Sequence, residues 1–182
     1  MRRAVFVDRD GVLNEAVVEQ GRPRPPATAA EFRYLPGVHQ RLARLKQLDM
    51  LFVCVTNQPD VARRTVTRAS VEEINARVRA EMPIDDLLVC YHDDGDHCEC
   101  RKPRPGLLLE ASERFGIDLE RSYMIGDRWK DVACGAAAGC ATVYVDYGYS
   151  ESYRGPAPTH TSATAAEAFD FVIDQITSES TQ

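Results

Sequence analysis

The chain has 182 residues, 44% of them hydrophobic, and a formal net charge of −6. That length suits a single globular domain, residues 1–182, able to bury a core without staples. The acidic balance argues against nucleic acid or an anionic membrane as partner, and no apolar run is long enough to span a bilayer.

Val5-Phe6-Val7 is a short apolar run ending at Asp8 and reads as a buried strand. The residues before it are too few for a signal-peptide core, so the expectation is a cytoplasmic protein. Residues 9 to about 36 are rich in Pro, Arg and Gly and read as a long loop of the functional kind. Pro36-Gly37 opens a helix with Val38, Leu42, Leu45 and Leu48 on its inner face. Leu51 to Val55 is a second buried strand, ending at Thr56-Asn57. Ser70 reads as an N-cap, with Glu73 completing a capping box and the helix running to about Glu81.

Leu87 to Tyr91 is a third strand. Pro105-Gly106 begins a helix with Leu108, Leu109, Ala111 and Phe115 inside. Ser122 to Ile125 is a fourth strand, ending at Gly126-Asp127. Val132 to Ala138 is helical and Gly139 is its stop signal. Ala141 to Val145 is a fifth strand, Tyr147 to His160 a loop, and residues 164–176 a last helix in which Phe171-Val172-Ile173 competes as a strand. Strands alternating with helices predict an α/β fold with a parallel sheet between two helical layers. Ligands then bind beyond the carboxyl ends of the strands, and three of those ends carry Asp8, Thr56 and Asp127.

Asp8-Arg9-Asp10-Gly11 puts two carboxylates two residues apart at a strand end. One can attack phosphorus while the other moves a proton; a plain surface turn is the competing reading. The Thr56 hydroxyl and Asn57 amide can donate to phosphate oxygens, or merely end a strand. Lys102 can neutralise a transferring phosphate and Arg101 can hold a second anionic group, or both can be a solvated basic pair. Asp127, in Gly126-Asp127-Arg128-Trp129-Lys130-Asp131, suits Mg²⁺, or a helix N-terminus. Asp131, one turn on, can hold a metal-bound water or Lys130, with Arg128 beside it as further support.

Those four segments in this order resemble the haloacid dehalogenase-type phosphatases over residues 4–146. The resemblance implies a Rossmann-like three-layer sandwich. It implies that Asp8 is the nucleophile and forms an aspartyl phosphate, and that Asp10 is the acid and then the base. Thr56 and Asn57 would contact phosphate and substrate, and Lys102 would shield the repulsion between Asp8 and phosphate. Mg²⁺ would be held by Asp8, Asp127 and the backbone carbonyl of Asp10.

Cys90, His92, Cys98 and Cys100 supply three thiolates and an imidazole, a closed tetrahedral zinc set. The alternative is a packed Cys90 with free thiols, and His97 is a poorer competing ligand. Loop residues Asp93, Asp94, Asp96 and Glu99 read as solvated, though an acidic loop near a substrate can also repel competing anions. A Cys-x-His and Cys-x-Cys pair just before Arg-Lys-Pro resembles the zinc loop of a capless subgroup. That subgroup contains heptose 1,7-bisphosphate phosphatases and histidinol-phosphate phosphatases. It implies structural Zn²⁺, catalytic Mg²⁺ and a small phosphorylated metabolite as substrate, and a monomer without nucleic-acid or membrane partner is the accompanying expectation. Arg101-Lys102-Pro103-Arg104-Pro105-Gly106, Asn57-Gln58 and Ala62-Arg63 resemble the heptose enzymes. Pro59-Asp60-Val61 and Arg64 depart from them, and the short zinc loop resembles the histidinol enzymes. A heptose bisphosphate is the favoured substrate and histidinol phosphate the alternative, with a non-catalytic phosphate-binding protein as a further reading. Arg101, Arg104, Arg63 and Arg64 are the candidates for a second anion site.

Overall fold

A computed structural model describes residues 1–179. Its frame is a six-stranded parallel sheet in the order β5-β4-β1-β6-β7-β8, made of β1 (Ala4–Val7), β4 (Leu51–Asn57), β5 (Asp86–Cys90), β6 (Tyr123–Gly126), β7 (Ala141–Val145) and β8 (His160–Ser162). β1 is the centre. It pairs with β4 from Ala4 opposite Leu51 to Val7 opposite Cys54, and with β6 from Val5 opposite Tyr123 to Val7 opposite Ile125. All four β1 residues are buried, which is why the segment reads as an unbroken apolar run rather than an alternating one.

Alternate residues of the strands face two separate cores. Val5, Val7, Phe52, Cys54 and Ile125 pack with α1 (Val38–Gln47), α2 (Arg68–Glu81) and α5 (Ala165–Glu179). Ala4, Phe6, Val53, Val55 and Met124 pack with α3 (Gly106–Phe115) and α4 (Trp129–Ala138). Helices thus cover both faces, and the three-layer α/β sandwich is as expected. In α5, Ala168, Phe169, Val172 and Ile176 are buried, a helical spacing that overrides the strand tendency of Phe171-Val172-Ile173.

Four expectations need correction. The stretch 9–36 is not all loop: β2 (Val17–Glu19) and β3 (Arg22–Arg24) form an antiparallel hairpin. Gln20 and Gly21, both at positive φ (51° and 74°), make its two-residue turn. The N-cap of α2 is Thr67, whose side chain accepts from the Ser70 N–H at 3.1 Å, so the helix starts before Ser70. Leu109 is exposed and Leu107 takes the inner position on α3. The 147–160 loop ends in β8, an edge strand whose register is fixed by Thr142 and Thr159, each donating its backbone N–H to the other's hydroxyl.

No helix among the described residues is long and apolar enough to cross a membrane. The carboxyl ends of β1, β4 and β6 open on one cleft of about 340 Å³.

Candidate active site

The first catalytic candidate leaves β1 directly. Asp8 donates its backbone N–H to Ile125 O at 3.0 Å, and its Oδ1 accepts from Arg9 N at 2.8 Å and sits 2.9 Å from Lys102 Nζ. Oδ2 is the oxygen left for other chemistry. Gly11 turns the chain at φ 91°, and a Cβ there would land on the Asp127 carboxylate. Only glycine therefore allows the turn after Asp10 to lie against the end of β6.

Asp10 is clamped. Its Oδ1 accepts from Asn14 Nδ2 at 3.0 Å and Arg9 Nε at 3.2 Å, and its Oδ2 from Gln58 Nε2 at 2.8 Å and Arg9 Nη2 at 3.1 Å. Arg9 is fully buried and also donates to Asn75 Oδ1 of α2 at 2.7 Å. Gln58 bridges Asp10 and the Thr56 hydroxyl, at 3.0 Å from the latter. The supporting roles of Arg9, Asn14, Gln58 and Asn75 are not read from the sequence, and the contacts of Arg9 with Asn75 and of Gln58 with Asp10 link distant segments.

Lys102 reaches the sheet end from the loop before α3. It is buried, and Nζ lies 2.6 Å from Asp131 Oδ1, 2.9 Å from Asp8 Oδ1 and 2.9 Å from Val55 O. Asp131 therefore holds Lys102, not Lys130; its second oxygen accepts from the Arg128 N–H at 3.0 Å and caps α4. Asn57 lines the cleft, but its amide is engaged with the Lys102 backbone, donating to Lys102 O at 3.1 Å and accepting from Lys102 N at 3.2 Å. Thr56 is fully buried at the β4 end.

Burial pushes the Asp8 carboxyl up to about 7, against the pull of Lys102 and with the push of Asp131 and Asp10. Burial, then Asp8 and Asp131, raise Asp127 well above the ordinary carboxylate range. Burial opposes the charge on Lys102, but Asp131 and Asp8 more than reverse it and hold the ammonium above the usual lysine value.

Asp8, Asp127 and Asp131 bring carboxylate oxygens within 4.8 Å of one another, with one lysine among them. Neither Asp127 oxygen has a hydrogen bond of normal geometry although both are buried; Tyr149 stands near enough only to ease the charge. Two orphaned carboxylate oxygens beside the free Oδ2 of Asp8 fit a hard divalent cation such as Mg²⁺. Both Asp131 oxygens are already bonded, which leaves Asp8 and Asp127 as the side chains to ligate it.

The second metal set also converges. Cys90 Sγ lies 3.7 Å from Cys98 Sγ, 3.3 Å from Cys100 Sγ and 3.6 Å from His92 Nδ1; Cys100 Sγ lies 3.5 Å from Cys98 Sγ and 3.3 Å from His92 Nδ1. Sulfurs around a tetrahedral zinc stand about 3.8 Å apart at a Zn–S bond of about 2.3 Å, so these spacings fit Zn²⁺. His97 sits outside the cluster at φ 50°. The loop acids are not merely solvated. Asp93 pairs with Arg63 at 2.5 Å, Asp94 with Arg101 at 2.8 Å and Glu99 with Arg104 at 3.4 Å, while Asp96 caps the turn.

Of the candidate anion-binding arginines, Arg63 and Arg101 line the cleft, with Arg24, Arg128 and Lys130 joining them. Arg104 instead donates to His97 O and Cys98 O, both at 2.6 Å, and ties down the zinc loop. Arg64 does not line the cleft. Arg128 is paired with Glu151.

Residues 99–178 match a family model described as HAD-hydrolase-like. The chain is 34% identical over 151 residues to the D-glycero-beta-D-manno-heptose-1,7-bisphosphate 7-phosphatase of Bordetella bronchiseptica, covering 80% of this chain and 82% of that one. It is 32% identical to the enzyme of the same name from Escherichia coli K12, covering 76% of each. The crystal structure of the B. bronchiseptica D,D-heptose 1,7-bisphosphate phosphatase with magnesium and phosphate superposes with a TM-score of 0.78 at 28% identity, covering 95% of this chain and 99% of that one.

Proposed function

The chain belongs to the D-glycero-β-D-manno-heptose-1,7-bisphosphate 7-phosphatase family of haloacid dehalogenase-like phosphatases, and from that premise we propose that it removes the 7-phosphate of that bisphosphate with Asp8 as nucleophile. The observation that carries the mechanism is the convergence of Asp8, Asp10, Lys102 and Asp127 on one cleft.

Asp8 attacks phosphorus and the bond to the sugar oxygen breaks. Asp10 gives that oxygen its proton. Asp10, now a carboxylate, takes a proton from water, which attacks the phosphoryl group on Asp8 and frees inorganic phosphate. Arg9, Asn14 and Gln58 fix the Asp10 carboxylate so that it serves both halves without reorientation. Lys102 lowers the repulsion between Asp8 and a phosphate dianion, and Asp131 keeps its ammonium in place. Thr56 and Asn57 form the β4 side of the phosphate site, Asn57 chiefly by pinning the Lys102 backbone. Bound Mg²⁺, held by Asp8, Asp127 and the Asp10 carbonyl, supplies further charge for the transferring group. Cys90, His92, Cys98 and Cys100 would hold a structural Zn²⁺, which would fix the loop that carries Arg101 to the cleft. Arg101 and Lys130 receive the second phosphate. We take the protein as a cytoplasmic monomer of one domain, with no partner besides its substrate.

Phosphate release with Mg²⁺ from heptose 1,7-bisphosphate, fructose 1,6-bisphosphate and histidinol phosphate tests the reading. The heptose is expected to have the highest kcat/KM. A preference for histidinol phosphate would overturn the substrate and leave the chemistry standing.

A further inference from the structure

Three aspartates follow His92 in the zinc loop, and they do different things. The Asp93 carboxylate accepts from the Asp94 N–H at 2.8 Å, and the Asp96 carboxylate from the Asp93 N–H at 2.8 Å. These two hold the turn itself. Asp94 caps nothing. Its Oδ1 takes Arg101 Nε at 2.8 Å and lies 3.7 Å from Lys130 Nζ. Asp94, Arg101 and Lys130 all line the cleft.

We propose that Asp94 is a specificity-determining residue, an internal counter-anion that occupies the place of the substrate's second phosphate on Arg101 and Lys130 and is displaced by it. The inference rests on the bisphosphate reading above.

The two partners of the ion pair differ in freedom. The Asp94 side chain is 66% exposed, the Arg101 side chain 10%. Arg101 has a second anchor, donating Nη1 to His92 O at 3.3 Å, so it stays when the carboxylate leaves. Asp94 is followed by Gly95, around which nothing lies within 4 Å of a would-be Cβ, so the turn has room on that side. An ion pair this exposed is weak, and a phosphate dianion brings more charge and three acceptor oxygens to the same two cations. Displacement follows. The returning carboxylate has a second effect: the product keeps its other phosphate, and Asp94 helps expel it.

The test compares wild type, Asp94→Asn and Asp94→Glu on heptose 1,7-bisphosphate and on p-nitrophenyl phosphate, which has no second anion. Zinc content is measured in each to show that the loop is intact. Asp94→Asn is expected to raise the ratio of kcat/KM for the bisphosphate over the monophosphate roughly fivefold, through KM, with kcat not rising. Inhibition by the heptose monophosphate product should tighten by a similar factor, and Asp94→Glu should restore the wild-type ratio. An unchanged or lower ratio in Asp94→Asn overturns the inference and makes Asp94 a support for Arg101. A wild type that handles the bisphosphate no better than p-nitrophenyl phosphate defeats the substrate reading alone. A selective gain in Asp94→Asn would still then identify Asp94 as the group that holds a second anion off.

Discussion

Lys102→Met removes one positive charge from beside the Asp8, Asp127 and Asp131 carboxylates and leaves a side chain of similar length. The lysine ammonium contacts Asp131 at 2.6 Å, Asp8 at 2.9 Å and Val55 O at 2.9 Å. Lys102 is 2% exposed and Asp131 1%, so solvent does not screen the pair. Breaking a buried ion pair by deleting one partner costs about 3–5 kcal/mol. For a chain of this size that lowers Tm by roughly 6–20 °C. Urea unfolding in EDTA measures it. Two further results follow from the geometry. Saturating Mg²⁺ should return part of the lost stability, because it supplies positive charge to the same carboxylates. Asp131→Asn in the Lys102→Met background should cost less than it does alone, with a coupling of about 1–3 kcal/mol, since the unpaired charge is then gone. Turnover should fall about 10²–10³-fold, as for other buried charge-stabilising groups. A Lys102→Met protein within about 1 kcal/mol of wild type in EDTA, or strict additivity with Asp131→Asn, would refute the reasoning.

Asp127→Asn should be more stable than wild type in EDTA by about 1–3 kcal/mol, because it removes a buried acid that has no hydrogen bond of normal geometry and stands beside Asp8 and Asp131, and should gain nothing from Mg²⁺; thermal melts with and without the metal check both. Cys98→Ser should lower zinc content below stoichiometric by metal analysis while the sheet stays folded, and full zinc occupancy would remove Cys98 from the ligand set. Gln58→Leu should cut kcat about tenfold with little change in KM, because it deletes one of the bonds that orient Asp10; a pure KM effect in steady-state kinetics would place Gln58 in substrate binding instead.

The sheet is legible in the sequence because its strands are buried on both faces and stand out as apolar runs between turn signals. Ala141–Val145 is found where the pattern puts it, and β1, β4 and β6 end at Asp8, Thr56-Asn57 and Asp127. The hairpin is not legible. Its strands have three residues each, one of them Arg22-Pro23-Arg24, too short for any alternation to register. Gln20-Gly21 is the available signal, since two residues at positive φ make a hairpin turn. β8 is hidden for a similar reason: three polar residues at a sheet edge have no burial pattern. Ser70 imitates the cap of α2 because it stands three before Glu73, but Thr67 occupies the capping position.

At the site, the motif residues converge because strand ends in a parallel sheet must share an edge. Their supports do not show in the sequence. Nothing local pairs Arg9 with Asn75 across 66 positions or Gln58 with Asp10 across 48. Asp131 follows Asp127 by one helical turn, but which lysine it holds depends on how α4 meets the 101–104 loop, a tertiary fact. The zinc set is legible only in part: three thiols and an imidazole within eleven residues offer a tetrahedral donor set, but His97 and free thiols compete until the fold brings Cys90, at the end of β5, against His92, Cys98 and Cys100.

The most direct test of Asp8 as nucleophile is to acid-quench the enzyme during turnover of heptose 1,7-bisphosphate and map the phosphoryl group by peptide mass spectrometry, in wild type and in Asp10→Asn. Phosphate is expected on the peptide carrying Asp8, forming and decaying more slowly in Asp10→Asn, where no carboxylate remains at that position to protonate the leaving oxygen or to activate the second-step water. Turnover with no phosphorylated peptide in either protein, or phosphate on a residue other than Asp8, would contradict Asp8 as the nucleophile.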